Sequence, residues 1–264
     1  MQKTIEKIIY YNCGYCINDL KFVFKKHISE QKKFPAGVFL IKHKNFGYIL
    51  FDTGYSKDIY NAGIKSKIYN LFNPTFVDIK NQINYQLYDD KIDCEEIKYL
   101  IISHLHPDHI GCIKYFNKSK IIISSEVYNT YKKNKIKDLV FKKLLPNWFE
   151  ENLYIIDEKK LKENKNKYFS YYDLFDDNSI LLTVFNGHAK GQLCALIDNR
   201  YFLAADSSWS KNLIGKSKKF SFFSKIIQDN MNDYIHNEKL LKKMIDDGIE
   251  LCFSHDIYNK KNIL

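Results

Sequence analysis

Four side chains that commonly ligate metals fall within six consecutive residues: His104, His106, Asp108 and His109, in the stretch SHLHPDHIGC. Neutral imidazole and carboxylate suit zinc, with iron or manganese as substitutes. In extended backbone, side chains two apart point the same way, so His104 and His106 can clasp one ion. Pro107 then turns the chain and places Asp108 and His109 to reach a second ion nearby. Each ion needs about four ligands and an open or water-filled position. One loop cannot close such a site, so further donors must come from elsewhere. Three candidates recur in one context, the end of an apolar run: His188 in TVFNGHAKGQ, Asp206 in FLAADSS and His255 in LCFSHD. A lone histidine at a strand end is usually a hydrogen-bonded structural residue. The repetition of the context is what singles out this set.

What must position these residues is a series of strands that end at them. IKYLIISH is a continuous apolar run, the pattern of a strand buried on both faces. AGVFLIKH and GYILFDTG read as a hairpin turning at KNF. SKIIISS predicts another strand, followed by a helix over EVYNTYKKNK. SILLTVFNGH, QLCALIDN and RYFLAADS predict three more strands, and IELCFSHD a last one. Helical connections are expected over SKDIYNAGIKSKIYNLF and VDIKNQINYQLYDD, and in the second half of the segment from FFSKII to MIDDG. Residues 130–170, rich in lysine and asparagine, read as an insertion of helix and loop lying over the core. No internal repeat or linker divides the chain, so residues 1–264 are expected to form a single domain. Strands outnumber helices, yet helices punctuate both halves. The fold class expected is α+β, two sheets sandwiched between helices.

At 264 residues, with 45% hydrophobic and 27% charged side chains, the chain is long enough to bury a substantial core. No apolar run approaches the ~18 residues of a membrane span. The opening MQKTIEKIIYYNCGYC has no apolar signal-peptide region, so a cytoplasmic protein is expected. The net charge of +10 invites a nucleic-acid reading. The lysines, however, are scattered through FKKH, EQKKF, YKKNK and GKSKK, and Arg200 is the only arginine. Together with the abundance of Asn, Ile, Tyr and Phe, this looks like the bias of an AT-rich genome. The expected partner is therefore a small molecule rather than nucleic acid, and the sequence leaves monomer and homodimer open. Six cysteines without a secretory signal do not suggest a disulfide framework. Cys13 and Cys16 form a C-x-x-C with no second pair to complete a zinc knuckle, and are read as structural.

The succession HLHPDH, GHAKGQ, AADSS and SHD resembles the metallo-β-lactamase-fold hydrolase superfamily, and ILFDTGYS at 49–56 is similar to its upstream Asp-x-Gly turn. The resemblance runs from about residue 35 to residue 256, and is most similar to the N-acyl-homoserine lactonase-like branch. It implies an αββα sandwich, two mixed sheets packed face to face, with a dinuclear metal site at one edge. Carried over residue by residue, it implies two Zn²⁺ ions: one held by His104, His106 and His188, the other by Asp108, His109 and His255, with Asp206 bridging them. A shared hydroxide of lowered pKa would attack a carbonyl or phosphoryl centre. Asp108 could pass the proton to the leaving group. Asp52 is expected to hydrogen-bond the histidine loop without binding metal, or else to serve only the turn. The chain departs from the lactonases at one place. They carry a tyrosine three residues after the bridging aspartate, contacting the substrate carbonyl, and here that residue is Trp209. Indole N–H is a donor but not an acid of similar strength. Either the carbonyl is handled differently, through Trp209, Ser207 or Ser208, or the substrate differs.

The expected activity is hydrolysis of a lactone, ester or thioester. A glyoxalase II-like thioesterase would need basic residues near the C-terminus, where Lys260 and Lys261 stand. A nuclease or phosphodiesterase of the same fold is the main alternative, and an iron-binding redox protein uses the same ligand types. A scaffold without catalysis predicts missing donors, and all seven are present. The aromatic stretches YNLFNPTF, LLPNWF and FSFF are expected either to pack the loops on the domain or to shape a pocket for an apolar substrate.

Overall fold

The structure is a computed structural model that describes residues 4–258 and 262–264, the side chain of Glu158 apart. Lys260 and Lys261, considered above for a thioesterase, lie outside the described residues.

Two mixed sheets carry the fold. The first is built from β1 (Ile5–Asp19), β2 (Gln31–His43), β3 (Gly47–Phe51), β4 (Thr75–Phe76), β5 (Ile97–Ile101), β6 (Lys120–Ser124) and β7 (Leu153–Ile156), in the order β4-β1-β2-β3-β5-β6-β7. β1, β2, β3 and β4 pair antiparallel, while β3, β5, β6 and β7 run parallel. The second sheet contains β8 (Asn164–Lys165), β9 (Ser170–Asp173), β10 (Ile180–Val184), β11 (Leu193–Ile197), β12 (Tyr201–Ala205) and β13 (Glu250–Phe253), ordered β13-β12-β11-β10-β9-β8. Only β12 and β13 are parallel in it.

The alternation of side chains along each strand makes the layers. Ile49 and Phe51 of β3 face Leu182, Ala195 and Leu203 of the second sheet in the core between the sheets. Leu50, between them in sequence, packs outward against α3 (Ile83–Asp89), α4 (Pro107–Ile110) and α5 (Ser125–Lys133). On the other side Leu196 and Phe202 meet Leu241 and Met244 of α8 (Met231–Asp246). The remaining helices are α1 (Leu20–Val23), α2 (Ile64–Phe72), α6 (Glu158–Glu163) and α7 (Phe222–Ile226). The two sheets with helices outside are the αββα arrangement expected.

Two features differ from the reading of the sequence. Residues 130–170 are not only helix and loop over the core, because β7 extends the first sheet and β8 the second. Both are edge strands too short for a two-residue period to show in the sequence. The 15-residue β1, whose stretch the sequence reading assigned to no strand, is a long strand paired to β2 along most of its length. No helix among the described residues is long and apolar enough to cross a membrane.

Candidate metal centre

Strand ends bring the seven donors together. His104 and His106 follow β5, and His106 caps α4, whose first turn begins at Pro107 and carries Asp108 and His109. Proline at the first helical position needs no N–H and is preset for the turn. His188 lies beyond β10, Asp206 follows β12, and His255 follows β13. Ala205, just before Asp206, has φ 45°, a left-handed conformation that costs a non-glycine residue of order 1 kcal/mol and that surrounding structure must enforce.

The donor atoms form two groups, each within 4.8 Å: His104, His106 and His188 in one, and Asp108, His109, Asp206 and His255 in the other. In the first, His106 Nδ1 lies 2.9 Å from His104 Nε2 and 3.1 Å from His188 Nε2. In the second, Asp206 Oδ2 is 3.0 Å from His255 Nε2, and it also reaches across to His188 Nε2 at 3.2 Å. Asp108 Oδ2 sits 3.6 Å from His109 Nε2 and 3.7 Å from His255 Nε2. All but the half-exposed His106 are buried.

The far side of four of the five rings is occupied. His109 Nδ1 is 2.7 Å from Asp52 Oδ2, His188 Nδ1 is 2.9 Å from Gln228 Oε1, and His255 Nδ1 is 2.6 Å from the Pro35 carbonyl. Ser103 Oγ lies 3.0 Å from His104 Nδ1. Such outer partners orient a ligating ring and select its tautomer. Asp52 itself accepts from the Ser103 backbone N–H at 2.8 Å and from the Ser103 hydroxyl at 2.9 Å. Gln228, Pro35 and Ser103 carry no motif that the sequence reading could have found, since each acts through a contact made only in the fold.

The electrostatics divide the same way. Burial, with the neighbouring histidines, keeps His104 and His106 well below the ordinary imidazole range, and burial lowers His188 too. Three neutral rings therefore converge their nitrogens on one point. Burial also works against charge on His109 and His255, but the surrounding carboxylates outweigh it. Asp52, Asp108 and Asp206 hold His109 well above the ordinary value, and Asp206 and Asp108 raise His255 to about 9. Burial would raise Asp206, yet His255, His109 and His188 hold it well below the usual carboxylate range. His109 Nε2 and Asp206 Oδ1 are buried with no hydrogen-bond partner among the described residues, 3.5 Å from each other. An unpaired buried donor–acceptor set costs free energy unless a ligand satisfies it. Donors that converge, are mostly oriented from behind and leave His109 Nε2 and Asp206 Oδ1 unpaired in front fit a pair of divalent cations.

Around the two carboxylates stand Tyr55 and Tyr69, which the motif reading did not single out, and Cys16 and Trp209, which it did. Tyr55 and Tyr69 share a hydrogen bond of 2.7 Å between their hydroxyls, and burial followed by the charge of Asp108 keeps both phenols neutral. Burial, with Asp108, likewise pushes the Cys16 thiol up to about 12. Trp209 is stacked on Phe220 at 5.1 Å and meets Phe34 edge-on at 6.2 Å, and Phe34 in turn presents its edge to His255. Trp209 is thus packed among aromatic side chains, and it bears on the centre through Phe34. A wide depression of about 1040 Å³ at the β2–β3 turn, lined by Asp93, Glu96 and Lys98, shares no residue with the donors.

The turn carrying His188 is constrained by Gly187, whose φ is +126° and where an added Cβ would lie 2.6 Å from the Tyr234 backbone nitrogen. Gly187→Ala is expected to destabilise the protein by about 1–3 kcal/mol, read as a lowered midpoint in denaturant titration.

The sequence profile of the family described as Anti-Pycsar protein Apyc1 matches residues 56–239, well over half of the chain. The match takes in every donor except His255. Among curated proteins, N-acyl homoserine lactonase AiiB of Rhizobium rhizogenes is 26% identical over 97 residues, 36% of this chain and 35% of that protein. N-acyl homoserine lactonase AttM of Azorhizobium caulinodans is 26% identical over 171 residues, 62% of this chain and 59% of that protein. The chain thus spans between about a third and three fifths of the length of these relatives. A solved N-acyl homoserine lactone hydrolase, holding the product N-hexanoyl-L-homoserine at its catalytic metal centre, superposes with a TM-score of 0.75 at 21% identity, over 96% of this chain and 94% of that one. The dizinc quorum-quenching lactonase AidC superposes at 0.63 with 17% identity, over 97% and 87% of the two chains. The fold is that of the metallo-β-lactamase-type hydrolases, and by its profile match the chain belongs to the family of the anti-Pycsar protein Apyc1.

Proposed function

We propose that the protein is a dinuclear zinc hydrolase acting on the carbonyl of a lactone, ester or thioester. The observation that carries this reading is the convergence of seven donors, with His109 Nε2 and Asp206 Oδ1 left unpaired at their meeting point. In this reading His104, His106 and His188 hold one ion and Asp108, His109 and His255 the other. Asp206 serves both, as its position between His188 and His255 supports. When bound, such ions supply Lewis acidity and a water acidified towards neutrality. The rest falls to the chain. Asp52, Ser103, Gln228 and the Pro35 carbonyl fix the rings from behind. Asp108 is placed to hold a proton for the leaving oxygen. Tyr55, Tyr69 and Cys16 keep the ground beside the carboxylates free of charge.

A phosphodiester substrate is the second reading. It is favoured by the half-buried Lys32, whose ammonium lies 3.4 Å from Ser210 Oγ and 5.5 Å from the centre of the Phe34 ring that abuts His255. The net charge of +10 points the same way. Zinc-loaded protein should be assayed on an N-acyl homoserine lactone, an aryl ester, a thioester and an aryl phosphodiester. Hydrolysis of a carbonyl substrate, abolished by chelation and restored by zinc, is the expected result. Cleavage of the phosphodiester alone would select the second reading. No hydrolysis of any of the four by protein that holds its metal would sink both.

A further inference from the structure

Helix α2 faces the wrong way for a buried amphipath. In its sequence, IKSKIYNLF, Ile64, Ile68, Leu71 and Phe72 have the spacing that normally meets a core. All four are exposed, Leu71 to 75%, and the fully buried side chain is Ser66. Helix α7 repeats the anomaly: Phe222, Phe223 and Ile226 are exposed. So is Phe22 of α1, which is joined to α7 by the Ser221 hydroxyl donating to the Phe22 carbonyl at 2.6 Å. The segment 134–137 connects the two parts. Lys65 Nζ reaches Asn134 Oδ1 at 3.5 Å, Lys137 Nζ reaches Asp229 Oδ1 at 3.6 Å, and Ile136 between them is 81% exposed. An apolar surface of this extent on one protein marks an interaction site.

The charges indicate what covers it. None of the three helices contains an aspartate or glutamate. The exposed charges among and beside the apolar side chains are mostly lysines, including Lys21, Lys67, Lys135, Lys218 and Lys219, and the acidic Asp229 beyond α7 is paired with Lys137. Two copies meeting through this face about a twofold axis would set lysine against lysine. A nucleic acid would engage the lysines and leave isoleucine, leucine and phenylalanine in water. An anionic bilayer answers both features: headgroups take the lysines, and the apolar side chains enter the acyl boundary.

We propose that the face formed by α1, α2, α7 and residues 134–137 docks the protein on an anionic lipid surface. The face adjoins the metal centre at two points. α2 carries Tyr69, bonded to Tyr55, and α7 leads directly to Gln228, bonded to His188. Docking would therefore bring the bilayer to the side of the domain from which Tyr69 and Gln228 reach inward. The proposal does not depend on which substrate is cut, or on whether metal is bound.

The test is co-sedimentation of the full chain with phosphatidylcholine vesicles, with and without phosphatidylserine, at low and high salt. Binding is expected only with phosphatidylserine, and weaker at high salt. Leu71→Ser combined with Phe222→Ser should weaken it by about tenfold or more. Lys218→Glu combined with Lys219→Glu should also weaken it, by roughly fivefold for each positive charge lost and further for each negative charge gained. These side chains are exposed, so the thermal midpoint should stay unchanged in both variants. No binding to either vesicle, or binding that neither variant weakens, would overturn the proposal. So would a dimer in light scattering that the Leu71→Ser, Phe222→Ser variant dissolves without any lipid binding, which would assign the face to a second copy.

Discussion

Asp206→Ala is expected to lose bound metal and to lower hydrolysis by about a thousandfold. Its carboxylate lies 3.0 Å from His255 Nε2 and 3.2 Å from His188 Nε2, and is held ionised against its own burial by His255, His109 and His188. Alanine leaves those rings without their counter-charge and would deprive the proposed pair of cations of a common ligand. Bound metal ions supply several kcal/mol of transition-state charge stabilisation. At 1.36 kcal/mol per factor of ten, losing about 4 kcal/mol of it corresponds to about three orders of magnitude in rate. Metal content by mass spectrometry, read beside the rate on the best substrate, separates the components. Retention of two metals per chain with an unchanged rate would remove Asp206 from the site, and with it the dinuclear assignment. Loss of activity with full metal content would leave Asp206 a role in the reaction but not in holding the ions.

Asp52→Ala carries the second-largest expected effect, although Asp52 is not among the proposed ligands. It receives the Ser103 N–H and hydroxyl and sits 2.7 Å from His109 Nδ1, tying the strand end and the helical turn of the histidine loop to one carboxylate. Its own φ is 64°, a left-handed conformation that aspartate and asparagine adopt more readily than alanine. The variant should lose about 3 kcal/mol of stability, since the Ser103 N–H, the Ser103 hydroxyl and the His109 ring lose a buried partner. Zinc affinity should fall about 10–100-fold, the usual effect of removing the partner behind a ligating histidine. Asp52→Asn, which keeps the shape and tolerates the backbone, should retain more of the stability than of the affinity. Calorimetric titration with zinc and denaturant unfolding read the two effects separately. If stability falls while zinc affinity does not, Asp52 serves only the Asp-x-Gly turn.

The sequence by itself determined the chemical inventory and the order of the layers. The strands leading to His104, Asp206 and His255 are short apolar runs bounded by turns, a local signal that survives without knowledge of their neighbours. Because successive residues alternate faces, the same runs also imply sheets covered on both sides, as Ile49, Leu50 and Phe51 show. Residues at the ends of such runs were therefore readable as a set. Which of them meet, and through which atom, was not. His106 turns Nδ1 rather than Nε2 towards His104 and towards His188, 82 residues away. The partners behind the rings come from 40 residues away for Gln228 and 220 for Pro35, and a carbonyl or an amide has no motif. β7 and β8 became strands because sheet edges offered them hydrogen bonds, not because their sequences alternate. Trp209 stands where the resemblance places a substrate-contacting tyrosine in the lactonases, and its contacts with Phe34 and Phe220 could not be read from the sequence. The outward stripe of α2 is the clearest case. Its spacing is that of a core helix, and only the position of Ser66 and Tyr69 against the domain shows that the stripe is turned to the outside. Local pattern specifies which side chains share a face. The pairing of distant segments decides what that face meets.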